Sequence, residues 1–80
     1  AVATYRKAIA AEPNGYQNYF FFGNFHLSQS NWKAAEDMYR QALAIAPGLA
    51  SAHMNLGLAL KQQGKYAEAE QELLLTRKLR

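Results

Sequence analysis

Apolar residues recur at steps of three and four along the chain. Tyr5, Ala8 and Ile9 form one such run, and Tyr39, Ala42, Leu43 and Ala46 form another; this spacing puts side chains on one face of an α-helix. No stretch alternates apolar and polar residues, and no β-branched run occurs, so strands are not expected. Breaks in the pattern mark the helix ends. Gly15 opens a helix that ends near residues 28–30, and Asn31 is placed to cap the next, its side chain accepting from the first free amides. That helix covers about residues 32–45 and stops at Ala46-Pro47-Gly48, because proline disfavours the α conformation of the residue before it. The scheme then recurs, with a helix over residues 50–63, a left-handed exit at Gly64 and a last helix from 66 towards 79. With a helix over residues 1–12, the chain is all-α, about five helices of ~20 Å each.

The recurrence is an internal repeat. Shifted by 34 residues, the chain falls on itself: Ala1 on Ala35 and Ala35 on Ala69, Tyr5 on Tyr39, Arg6 on Arg40, Ala8 on Ala42, Ala10 on Ala44, and Pro13 on Pro47. Further along, Gly23 falls on Gly57, Gln29 on Gln63 and Glu36 on Glu70. Mismatches such as Ile9 with Leu43, Phe22 with Leu56 and Trp32 with Tyr66 conserve size and polarity. Residues 16–49 make a complete unit of two helices, 50–80 a nearly complete one, and 1–15 the second helix of a truncated one. The whole of 1–80 is expected to form a single domain.

These residues resemble the tetratricopeptide repeat, a helix–turn–helix of 34 residues with W-x2-L-G-x2-Y, then A-x3-F, then P. The middle unit supplies Tyr19, Phe22-Gly23, His26, Ala35, Tyr39, Ala42 and Pro47. The last unit supplies His53, Leu56-Gly57, Leu60, Tyr66, Ala69 and Leu73, and the first keeps Ala1, Tyr5, Ala8 and Pro13. The resemblance implies antiparallel helix pairs stacked as a short right-handed superhelical solenoid. Gly23, Gly57, Ala8, Ala35, Ala42 and Ala69 are small where helices approach closely. Tyr19, Phe22, Trp32, Tyr39, Leu56, Tyr66 and Leu73 are expected to fill the space between them. The departures are His26 and His53 in aromatic positions, Thr76 in place of an alanine, and an unusually aromatic cluster of Tyr16, Tyr19, Phe20, Phe21, Phe22 and Phe25.

Composition narrows the function. The chain has 80 residues, 50% hydrophobic and 19% charged, with a net charge of +3, which excludes the disordered class. The charge is mild, and Arg77, Lys78 and Arg80 bunch at one end, so no nucleic-acid partner is expected. The absence of cysteine removes disulfides, thiolate metal sites and a cysteine nucleophile. The aromatic run Tyr19-Phe20-Phe21-Phe22 stops at Gly23, far short of the ~20 apolar residues that span a bilayer. The first residues lack the plan of a signal peptide and an initiator methionine, so a piece of a longer protein is expected.

His26 and His53 are the residue types that could bind a metal or move protons, but they lie outside any HExxH or paired-carboxylate context. Both are expected to be hydrogen-bonded fillers. Glu68, Glu70 and Glu72 read as a solvated stretch, and Glu36 with Arg40 as an i,i+4 helix pair worth ~0.3 kcal/mol. No phosphate loop or nucleophile elbow occurs. The expectation is a protein that is not an enzyme, with no cofactor and no metal.

The resemblance implies a binding role. In tetratricopeptide proteins the first helix of each repeat lines a concave groove that holds peptides or partner helices. Carried over, the groove positions are Gln17, Phe20, Asn24, Leu27 and Ser28, then Ser51, Met54, Asn55, Leu58, Lys61 and Gln62. Phe20, Leu27, Met54 and Leu58 would make a largely exposed apolar strip with amide flanks, suited to an amphipathic or extended apolar segment. Asn24 and Asn55 match two asparagines of the carboxylate clamp of this family. Phe20 stands where the clamp has a lysine, and amides alone hold a carboxylate weakly. The expected function is a protein-interaction scaffold; the alternatives are architectural spacer repeats or an accessory domain fused to an enzyme. Homo-oligomerisation through terminal helices is also expected. Tyr5 and Ile9 would face outwards on the first helix, and Leu73, Leu74, Leu75 and Leu79 spread over more than one face of the last.

Overall fold

The computed structural model describes residues 2–12 and 14–79. Ala1, Pro13 and Arg80, which enter the repeat alignment and the basic end, lie outside the described residues. Five helices follow one another: α1 (Val2–Ala11), α2 (Tyr16–Ser28), α3 (Trp32–Ile45), α4 (Ala50–Gln62) and α5 (Tyr66–Leu79). No strand occurs among the described residues, and none of the described helices is long and apolar enough to cross a membrane.

Local chemistry sets the boundaries. After α2 the Asn31 N–H reaches the His26 carbonyl at 2.9 Å and the Ser30 N–H reaches Leu27 at 3.1 Å. After α4 the same pair recurs, from Lys65 to Leu60 at 2.9 Å and from Gly64 to Lys61 at 3.0 Å. Both ends are therefore Schellman closures, which need a residue of positive φ. Ser30 (φ 60°) and Gly64 (φ 81°) supply it at the same repeat position. Asn31 does precede α3, but its side chain makes no capping bond. Its backbone serves instead, the N–H closing α2 and the carbonyl accepting from Ala35 at 2.9 Å. Ala46 lies outside the α region that Pro47 disfavours (φ −128°, ψ 79°) and ends α3.

The helices form two layers within a slab of 34 × 24 × 14 Å, a thickness that suits layers packed ~10 Å apart. Helices α2 and α4 are neighbours in one layer, while α1, α3 and α5 alternate on the other side. The backbones of α2 and α4 meet, but those of α1, α3 and α5 do not approach one another. One layer is drawn together and the other splayed, so the α2–α4 face is the concave one.

The core lies between α2, α3, α4 and α5, where Tyr39, Leu56 and Leu60 are fully buried beside Ala35, Ala59 and Ala69. Gly23 is required by the Tyr39 ring, because a Cβ on residue 23 would lie 2.7 Å from it. Two expected fillers are not enclosed. Tyr66 is 67% exposed, and Leu73 is packed against Gly57 on one side and open on the other. Tyr39, at the repeat position of Leu73, is covered by both α2 and α4, whereas only α4 covers Leu73.

Candidate functional site

The concave face is built from α2 and α4, and the eleven groove positions named from the sequence divide by neighbourhood. Gln17, Ser28, Ser51, Lys61 and Gln62 are exposed, although the Ser28 hydroxyl donates to its own helix at Phe25 (2.7 Å). Met54 and Leu58 are 36% and 42% exposed. Phe20 and Leu27 depart from the expected open strip, since both are half-buried and packed against the core cluster. Phe20 meets the Tyr39 ring with centroids 6.0 Å apart, so it holds α2 on α3 as much as it lines a groove. The exposed aromatic is its neighbour Phe21, at 52%. The resemblance had not assigned Phe21 to the groove, yet it lies at i+4 from Gln17 and i−3 from Asn24, on their side of the helix.

The two asparagines hold the face together. The Tyr39 hydroxyl donates to Asn24 Oδ1 at 2.5 Å, and Asn55 Nδ2 donates to the same oxygen at 3.0 Å. Burial pushes the Tyr39 phenol up to about 12, with an opposing contribution from the Asn55 amide, so it remains a donor at neutral pH. The Asn24 carbonyl oxygen thus accepts from both α3 and α4 and joins the two repeats. The Asn24 carbonyl oxygen and the Asn55 amide nitrogen are thus engaged within the protein.

A second polar junction lies on the other layer. Glu36, expected to form a simple pair with Arg40, is 3% exposed. It accepts from Arg40 Nε (2.9 Å), Gln63 Nε2 (2.9 Å) and Lys65 Nζ (3.2 Å). Burial alone would raise this carboxyl, but the bonds from Gln63, Arg40 and Lys65, together with the Arg40 charge, outweigh it and hold Glu36 down to about 2. The junction ties α3 to the end of α4 and the start of α5.

Of the two histidines expected to be hydrogen-bonded fillers, His53 is hydrogen-bonded and His26 is not, among the described residues. His53 Nδ1 lies 2.6 Å from Glu72 Oε2 and Nε2 lies 2.9 Å from the Pro47 carbonyl, so the ring bridges α4 to α5 and to the preceding turn. Glu72 is accordingly paired and half-buried, not part of a solvated stretch. His26 stacks on Phe22 (4.4 Å) beside Phe25 (5.7 Å), and its Nδ1 has no partner among the described residues. Burial, with Arg6 nearby, lowers its basicity. The expected outward-facing Tyr5 is corrected by the same cluster. Its ring stacks on Phe22 at 5.2 Å and meets Phe25 at 5.7 Å, and both Tyr5 and Ile9 are half-buried. The extra aromatics of α2 are what cover α1, and Asn18 Nδ2 adds a bond to the Ala8 carbonyl at 3.2 Å.

Two helix hairpins and a leading helix, related by a constant shift and stacked side by side, define a helical-repeat protein. A family model described as tetratricopeptide repeat matches residues 1–50 and again residues 22–78, and the chain belongs to that family. It is 37% identical over 73 residues to a tetratricopeptide repeat and J domain-containing co-chaperone of Cryptococcus neoformans, an alignment covering 91% of this chain and 14% of that one. It is 29% identical over 66 residues to a protein O-mannosyl-transferase of Caenorhabditis elegans, covering 82% of this chain and 10% of that one. The chain therefore spans a small part of the curated relatives it matches. The crystal structure of MamA protein superposes with a TM-score of 0.92 over 99% of this chain and 43% of that one, at 24% identity. That likeness is one of fold. Repeats of this family generally mediate protein–protein interaction.

Proposed function

We infer that this chain is a non-enzymatic protein-interaction module that takes an apolar or amphipathic segment of a partner polypeptide across the concave face of α2 and α4. The observation that carries this reading is the exposure of Phe21, Met54 and Leu58 on the drawn-together layer, flanked by the exposed polar side chains Gln17, Ser51 and Gln62. Large apolar side chains on a polar-rimmed concave surface suit recognition of an apolar segment. Lys61 is the one formal charge among the eleven positions, so selectivity would come from shape and apolar contact. A terminal-carboxylate ligand is disfavoured because Asn55 Nδ2 already donates to Asn24 Oδ1, which also accepts from Tyr39, and because Lys61 is the one cation among the eleven positions.

In this reading residues 16–49 and 50–80 act as two repeats and 1–15 as the closing helix of another, one unit within a longer protein. The long relatives that carry similar segments support that placement. A spacer role is the second reading. It is favoured by the Glu36 and Asn24 junctions, which hold neighbouring helices at a set angle.

Selection of a random peptide library on the immobilised chain separates the two. The groove reading expects enrichment of apolar, helix-compatible sequences whose affinity falls at least ~10-fold with Met54→Glu or Leu58→Glu. The melting temperature should stay within the range of a surface change. A spacer would select nothing, or would select peptides indifferent to both substitutions. Phe20→Glu is a poor probe, because Phe20 packs on the core.

A further inference from the structure

Helix α5 carries an apolar strip on the side turned away from the core. It buries Ala69 and Thr76 and directs Leu73 onto Gly57. At ~100° per residue the opposite side of the helix carries Gln71, Leu74, Leu75 and Lys78, and these four residues line one open recess.

The internal repeat shows what stacking does to this side. The residues equivalent to Gln71, Leu74 and Leu75 are Asp37, Arg40 and Gln41 in α3, and Ala3, Arg6 and Lys7 in α1. All six are exposed, although α1 and α3 are each followed by another helix pair. A further repeat therefore does not cover this side, which forms the convex back of the splayed layer. In α1 and α3 it is polar or small, whereas α5 places two adjacent leucines there, 48% and 41% exposed. Stacking accounts for the open edge of Leu73, whose equivalent Tyr39 is fully buried, but it does not account for Leu74 and Leu75.

The charges of α5 indicate what does. Glu68, Glu70 and Glu72 occupy its first half, and Arg77 and Lys78 its end. Glu70 and Arg77 lie two turns apart on the same border of the leucine strip. When two copies of α5 pair antiparallel about a two-fold axis, Leu74 and Leu75 of one meet those of the other. Glu70 of each copy then lies beside Arg77 of its mate. Parallel pairing about a two-fold axis would put this border of the two copies on opposite edges of the interface and leave Glu70 and Arg77 without each other. We propose that this chain pairs with a second copy of itself through the outer side of α5, antiparallel and lateral to the repeat stack, leaving the α2–α4 face of both copies open. A strip one helix long covers less than the ~800 Å² per partner of a standard interface, so the dimer is weak and concentration-dependent.

Sedimentation equilibrium of the 80-residue chain up to ~1 mM, a concentration that populates dimers weaker than those of standard interfaces, tests the pairing. The expected result is a monomer–dimer equilibrium abolished by Leu74→Glu with Leu75→Glu. Both residues are exposed, so helix content should be kept, and circular dichroism checks this. Glu70→Arg and Arg77→Glu alone should each weaken association at least ~10-fold, and the double charge swap should restore it. A monomer at the highest concentration overturns the proposal. So does a dimer indifferent to the leucine changes, which would mean association through the ends of the stack. Charge variants that the double swap fails to rescue overturn the antiparallel arrangement.

Discussion

The hairpins α2–α3 and α4–α5 are two drafts of one motif, and they are held together differently. In the first, a tyrosine lies over glycine: the fully buried Tyr39 ring occupies the space a Cβ on Gly23 would need, and its hydroxyl is held by Asn24. In the second, Leu73 lies over Gly57 with a looser fit, and a Cβ there would meet Leu73 Cγ at 3.2 Å. Glu36 of the first is buried in a junction with Arg40, Gln63 and Lys65, while its equivalent Glu70 is exposed. The turn of the first relies on Ser30 at φ 60° where the second has Gly64. Identical repeat positions thus carry different weight according to what is packed on the far side.

The largest contrast should come from the paired glutamates. Glu36→Ala is expected to destabilise the chain by ~3 kcal/mol, since it removes from a buried position the shared acceptor of three bonds, two of them from cations. Glu70→Ala should stay within ~0.5 kcal/mol. The pH dependence follows from the depressed carboxyl of Glu36. Its stabilisation is fully present above about 4.5, the ordinary value, and is lost as pH falls towards about 2. Urea midpoints measured from pH 7 to pH 2 should therefore fall more steeply for the parent than for Glu36→Ala, and equal slopes would contradict the buried junction.

The glycines should differ in the size of the effect. Gly23→Ala forces a methyl into a ring that cannot move and should lose ~2 kcal/mol. Gly57→Ala asks only a half-open leucine to shift, and the ~0.5–1 kcal/mol gained by alanine in a helix offsets the strain. Thermal melts of the two variants read this directly, and equal losses would show that the two helix crossings are equally tight. The smallest effect belongs to the turns. Ser30→Gly should stabilise by ~1 kcal/mol and Gly64→Ser should destabilise by a similar amount, because a side chain at positive φ crowds the backbone. Guanidine unfolding of this reciprocal pair checks both signs at once.

Helix boundaries were legible because their causes are local. Pro47 restricts the residue beside it, Gly64 permits its own positive φ, and the three–four spacing belongs to each helix by itself. The exposure of the α2–α4 face was legible in part. Repeat position anticipated the exposure of Met54 and Leu58 on α4, but it gave Phe20 the exposure that Phe21 has. The two phenylalanines are adjacent and chemically identical, and only the position of the Tyr39 ring separates their environments. Leu74 and Leu75 were readable as a strip of their own by comparison with Arg40 and Gln41; grouped with Leu73, they lost that distinction.

The chain's own order of residues determined the number of helices, their ends, the repeat and the family, since these rest on backbone preferences and on spacing within a few turns. Tertiary structure alone decided which polar groups became joints. Glu36 meets Gln63 and Lys65, Asn24 meets Asn55, and His53 meets Glu72 only after separate helices have packed. A carboxylate or an amide has the same local appearance on a solvated surface and in a buried junction. Its partners, brought from other helices by the packing of Tyr39, Leu56 and Leu60, decide between the two.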